Sequence, residues 1–90
     1  MSKFLAVHPM PEPMTVEDAT PVGEKTKSLS NADAYWVSSW AQLDDEGKIV
    51  KLFCEWNAKS LEDVEDLIEK TEVPTEGVYP MMKVDSEDFR

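Results

Sequence analysis

One cysteine, one histidine and three glycines in 90 residues are a thin supply, and each shortage closes a class of explanation. Cys54 has no partner in the chain, so no internal disulfide can support a domain that buries only about 60% of its unfolded surface. Three glycines leave no glycine-rich phosphate loop and no dinucleotide fingerprint. The single imidazole, His8, has no serine and acid at triad spacing, and HxxxH, CxxC and spaced acidic loops are missing as well. No apolar run approaches the ~20 residues needed to span a bilayer. The short apolar run at 4–7 is stopped by proline too early for a signal peptide, so a cytoplasmic location is the expectation, and the unpaired cysteine agrees with it. Bases are scarce too: nine against nineteen acids give a net charge of −10. Phosphate backbones are bound through clustered lysine and arginine, and nothing larger than Lys25 with Lys27 is present, so neither nucleic acid nor an anionic membrane is an expected partner. The acidity itself reads first as solubility.

What is there reads as one domain, 1–90, of the α+β class. Residues 3–8 are β-branched and apolar, a brief strand that Pro9, Pro11 and Pro13 should end by removing backbone donors. Thr15 with Asp18 resembles a capping box, and Val16, Ala19, Val22 and Thr26 follow at helical spacing; Pro21 inside that pattern predicts a kink or a later start. Tyr35, Trp36, Val37 and Trp40 favour a strand over 34–42. The polar Asp44-Asp45-Glu46-Gly47 turn joins it to a third strand, 48–56, as a hairpin. Ser60 with Asp63 caps a second helix whose Leu61, Val64, Leu67 and Ile68 form one apolar stripe, ending near Thr71. A last strand spans 78–84, and the polar tail 85–90 reads as loose.

Strand, helix, hairpin, helix, strand is the ferredoxin-like β-α-β-β-α-β order, a four-stranded antiparallel sheet in order 4-1-3-2 with two helices on one face. Pairing the centres of strands one and three puts Ala6 beside Leu52, His8 beside Val50 and Phe4 beside Cys54, and holds His8 and Cys54 roughly 13 Å or more apart. Near His8 the same topology gathers Glu12, the turn at 44–46 including Asp45, and Glu76. One nitrogen with several oxygens suits a six-coordinate divalent ion such as nickel or manganese, so His8, Glu76, Asp45 and Glu12 are the candidate metal ligands. Alternation turns Val50, Leu52, Cys54 and Trp56 toward the helices, making Cys54 a core thiol, and leaves Phe53 and Glu55, together with Trp36 and Trp40 or their alternate neighbours, for the open face. A second subunit laid on that face would cover the aromatics and enclose a pocket between two sheets.

The blocks Ala34-Tyr-Trp-Val-Ser-Ser-Trp40, Gly47-Lys-Ile, Leu52-Phe-Cys-Glu-Trp-Asn-Ala58 and Pro74-Thr-Glu-Gly-Val-Tyr79 resemble a widespread family of small proteins of unknown function that has a nickel-binding, ferredoxin-like member. The chain is also similar in architecture to the dimeric α+β barrel proteins. The resemblance extends over about residues 4–84, and its most specific part is the Cys-Glu-x-x-Ala pattern after the hairpin. It implies a homodimer and nickel, or another divalent transition metal, as cofactor; it carries over no ligand set. Two functions follow as expectations. One is a metal-binding protein with His8 and nearby carboxylates as ligands. The other is a dimeric barrel-like enzyme or small-ligand binder, with His8 as general acid or base in an aromatic pocket between sheets.

Overall fold

The computed structural model describes residues 1–89. Its elements run β1 (Ser2–Met14), α1 (Val16–Leu29), β2 (Ala34–Leu43), β3 (Ile49–Ala58), α2 (Leu61–Thr71) and β4 (Gly77–Met81), then a single 3₁₀ turn at Ser86–Phe89. The strands form one antiparallel sheet in the order β2-β3-β1-β4, the expected ferredoxin-like arrangement read from the other edge. No helix among the described residues is long and apolar enough to cross a membrane. Arg90, the end of the expected loose tail, lies outside the described residues, and the 3₁₀ turn gives part of that tail regular structure.

Local chemistry accounts for the helices. Thr15 caps α1, its Oγ1 accepting from the amide of Asp18 at 3.1 Å, and the helix starts at once and runs through Pro21. Ser60 caps α2 in the same way, accepting from the amide of Asp63 at 3.2 Å. Such caps satisfy donors that the first helical turn leaves unpaired. α2 ends on Glu72 in the left-handed conformation, φ 61°.

β1 departs most from expectation. It does not stop at the prolines but stays extended to Met14, because proline fixes φ at a value that extended backbone tolerates and loses only its donor. The loss is absorbed by a register shift: Pro9 pairs with Lys51, the next pair is Met14 with Ile49, and the segment between is left out of the ladder. Before the shift, Phe4 pairs with Trp56, Ala6 with Cys54 and His8 with Leu52, two residues away from the register expected. A shift of two keeps every side chain on its face, so the hydrophobic pattern cannot detect it. Side-chain volume decides instead, since the observed register sets small Ala6 next to the Phe4–Trp56 pair beneath α2.

The core is one-sided. Phe4, Ala6, Ala34, Trp56 and Ala58 from the sheet close against Val64, Leu67 and Ile68 of α2. α1 contributes no buried residue at all. It covers its half of the sheet without filling the space beneath, and that space is where the site lies.

Candidate functional site

Between α1, the end of α2 and the sheet lies a cavity of about 500 Å³. Its floor is Leu52, Cys54 and Trp56 of β3 with Trp36 and Ser39 of β2; its roof is Ala19, Val22, Gly23 and Thr26 of α1. One end is bordered by Ile68 and the segment from Thr71 to Pro74, the other by the proline-rich half of β1. The size falls within the usual range for small-molecule sites, about 300–1,000 Å³.

His8 reaches this cavity, and its surroundings fix its proton. The ring is 5% exposed. Its Nδ1 lies 3.1 Å from the carbonyl oxygen of Pro74 and 3.1 Å from Thr75 Oγ1. A carbonyl only accepts, and the Thr75 hydroxyl already donates to the carbonyl of Val73 at 2.9 Å, so Nδ1 must carry the hydrogen. Nε2 is left with a lone pair and no partner among the described residues. Burial lowers the pKa of His8 from its ordinary 6.5, against a smaller opposing effect of the Pro74 hydrogen bond. The ring is therefore neutral near pH 7, with a fixed tautomer and an acceptor nitrogen in an apolar chamber.

Cys54 shares the cavity with His8. The expectation that the two stand 13 Å or more apart is corrected by the observed register: they are diagonal neighbours on adjacent strands, roughly 7–8 Å apart at the backbone. They do not make a thiolate–imidazolium pair, because burial pushes the Cys54 thiol up, only partly offset by the Ser39 hydroxyl. Ser39 Oγ also accepts from Trp36 Nε1 at 2.8 Å, tying the floor together.

A β-bulge decides which tryptophan lines the site. Trp36 pairs with Trp56 but Ser38 pairs with Glu55, so Val37 is an extra residue and parity reverses after it. Trp36 thus faces the helices and lines the cavity, while Trp40, expected on the same face, points the other way and is 79% exposed. The expectation that Trp36 and Trp40 share a face is corrected by that one inserted residue.

The four candidate ligands do not converge. Glu12 borders the cavity that His8 lines. Asp45 is exposed in the hairpin turn, whose Asp44 carboxylate is engaged by the amides of Glu46 and Lys48 at 2.9 and 3.0 Å. Glu76 is ion-paired with Lys51 at 3.3 Å. Among the described residues there is no group of three or more His, Cys, Asp or Glu side chains placed to hold a metal ion. An aromatic-lined pocket lies inside one chain, between sheet and helices. Thr75, Pro74 and Trp56 were missed as site residues: the first two orient His8 from 66 and 67 positions away in sequence, a relation no local pattern signals.

No family model matches the chain, and no curated protein matches it. Among solved structures it is similar to the protein SCO4226 from Streptomyces coelicolor A3(2), with a TM-score of 0.76 at 13% identity, over 93% of this chain and 100% of that one. At that identity the likeness speaks for the fold alone.

Proposed function

We propose that the chain binds a small, largely apolar molecule in the cavity beneath α1, with His8 Nε2 as its principal polar contact. The supporting observation is a neutral, oriented histidine whose second nitrogen has no partner among the described residues and which lines a chamber walled by Trp36, Trp56, Leu52 and Val22. An uncharged imidazole held in one tautomer is equipped to accept a proton or a hydrogen bond, and this is the polar element of the pocket reading drawn from the sequence. The metal reading rests on the resemblance and on His8 with Glu12, a donor set too small to enclose an ion by itself.

The test is titration with the neutral dye phenylnaphthylamine, followed by its emission, in wild type and in Gly23→Leu, which puts a side chain into the roof against Trp36. Saturable binding by wild type, lost in the variant, is expected. No binding by wild type would overturn the reading. Calorimetric titration with nickel chloride in the same buffer decides the metal alternative: a site abolished by His8→Ala would replace the pocket as the principal function.

For the open sheet face the occupant we propose is a second copy of the chain. Trp40, Tyr35, Tyr79 and Met81 are exposed there, and the acid on that face, Glu55, is neutralised by Lys3. On a chain of net charge −10 this is a surface two copies can share without repulsion. Light scattering should give a mass near twice 10.2 kDa, falling to the single value in Trp40→Lys.

A further inference from the structure

The side-chain polar atoms of the cavity's lining residues leave acceptors free and no strong donor. Thr26 Oγ1 donates to the carbonyl of Val22 at 2.8 Å, Thr71 Oγ1 to that of Ile68 at 2.6 Å, and Trp36 Nε1 to Ser39 at 2.8 Å. The Ser39 hydroxyl is engaged with the Cys54 thiol, itself only a weak donor. Trp56 Nε1 is unpartnered, but it has no surface that a ligand could touch. His8 Nε2 differs from it. The ring is 5% exposed, yet among the described residues only the Trp56 nitrogen is both unpartnered and wholly enclosed, so Nε2 keeps some accessible surface. Pro74 and Thr75 hold Nδ1 from the side of β4, and the opposite edge of the ring, with Nε2, turns from β4 toward the cavity over β3. Charge at this cavity has one sign. Glu12 and Glu72 border it, no lysine or arginine does, and among the described residues neither carboxylate is in an ion pair. They flank His8: Glu12 follows it on β1, and Glu72 shortly precedes the Pro74 carbonyl that holds Nδ1. Both are exposed, so a charged head placed beside them keeps part of its water.

From these placements we infer that the cavity takes an organic cation, an apolar body ending in a protonated primary or secondary amine, whose N–H donates to His8 Nε2 and whose charge is balanced by Glu12 and Glu72. This rests on the pocket reading above and adds to it the sign of the ligand's charge and the two residues that recognise it. A carboxylate or phosphate in the same place would meet two negative charges and a lone pair, with no free donor to receive it. A neutral alcohol would satisfy Nε2 and leave the attraction of the carboxylates unused. The indole wall favours the same choice, because a cation is drawn to the face of an aromatic ring, and Trp36 lines the cavity.

Four naphthalene compounds that differ in the head group test this by displacing phenylnaphthylamine at neutral pH. Naphthylmethylamine is a cation with N–H donors, its trimethylammonium analogue a cation without them, naphthylmethanol a neutral donor and naphthoic acid an anion. At low salt the amine should bind wild type at least about fivefold more tightly than the alcohol, since each exposed carboxylate is worth up to about a factor of five, and the acid should bind least. High salt should shrink the amine's advantage. The trimethylammonium compound should fall behind the amine on wild type and draw level with it in His8→Phe. Replacing both Glu12 and Glu72 by glutamine should remove the amine's advantage and keep the affinity for the alcohol. The same exchange at Glu62 and Glu65, exposed on α2 and outside the cavity, should leave that advantage intact. Equal binding of amine and alcohol by wild type would overturn the inference and leave the pocket reading standing. So would equal binding of the two cations, which removes His8 Nε2 as the contact, or equal losses in the two double variants, which assigns the preference to the net charge of −10. Failure of all four compounds and of the dye would overturn the pocket reading itself. The decisive comparisons are made on wild type and on surface variants, so a His8→Phe chain that does not fold leaves the test standing.

Discussion

Gly23 offers the sharpest perturbation, because it occupies the interior of α1 where glycine is costly and faces Trp36 across the cavity roof. Replacement by alanine acts through two measurable effects. The helix gains about 0.8–1.0 kcal/mol from alanine's greater propensity, a figure that already includes the smaller entropy loss of the unfolded chain. The new Cβ would lie 3.7 and 3.9 Å from two ring carbons of Trp36, ordinary van der Waals contact with no clash. That half-buried methyl adds a few tenths of a kcal/mol, part of the ~0.8 kcal/mol of a fully buried methylene. Gly23→Ala should therefore raise stability by about 1 kcal/mol, or the midpoint of thermal unfolding by roughly 4–8 °C for a domain of this size. Urea denaturation followed by tryptophan emission measures it, and an unchanged slope would exclude a more compact denatured state as its source. A lower midpoint would refute the reasoning, since it would mean that α1 sits closer to β2 than 3.7 Å allows and that the cavity roof is misplaced. Gly23→Leu, with similar helical preference and a longer side chain, should fold equally well and exclude the dye.

Three further outcomes are expected. His8 is held neutral, its folded pKa below the unfolded 6.5, so its contribution to stability is complete above that value and is lost as pH falls through the lowered one; His8→Phe should show a shallower acid loss in paired urea titrations, and parallel curves would contradict the burial of the ring. Cys54, kept as a thiol by burial, should react with Ellman's reagent at neutral pH at least about tenfold more slowly than an exposed cysteine, and Cys54→Ala should cost about 1 kcal/mol or somewhat more in denaturant titrations. Glu72→Gly should gain about 0.5–1 kcal/mol in the same assay, because φ 61° is a conformation in which a side chain is strained and glycine is not; a loss would show that the Glu72 side chain contributes more than its backbone costs.

How far the sequence foretold this molecule depends on the scale of the feature. The element order and the strand order follow from local signals, Thr15, Ser60 and the stripe of Leu61, Val64, Leu67 and Ile68, together with the chirality of crossovers, and these are the features the structure bears out. Register was not legible, because a slip of two residues preserves every face assignment and only the fit of Ala6 beside Phe4 and Trp56 distinguishes the alternatives. That slip carried His8 and Cys54 from apparent separation into one chamber. The chamber itself was invisible, since α1 has the same apolar spacing as a helix that packs tightly, and nothing in Ala19, Val22 and Thr26 says that they stop short of the sheet. Of the carboxylates expected around His8, Glu76 is engaged by Lys51, a competition between neighbouring charges that residue type and topology do not signal.

The bulge at Val37 gives the protein two optical channels that do not mix. Trp36 reports from the dry side of the sheet and Trp40 from the wet side, although only three residues separate them. Quenching by an aqueous ion such as iodide should silence Trp40 and spare Trp36, whereas a guest beneath α1 should alter Trp36 and leave Trp40 untouched. Occupancy of the interior and contact at the outer face can thus be followed separately in one unlabelled sample. Deleting Val37 should leave both channels in place, because Ser38, Ser39 and Trp40 would keep their partners Glu55, Cys54 and Phe53 in a strand that now alternates without interruption.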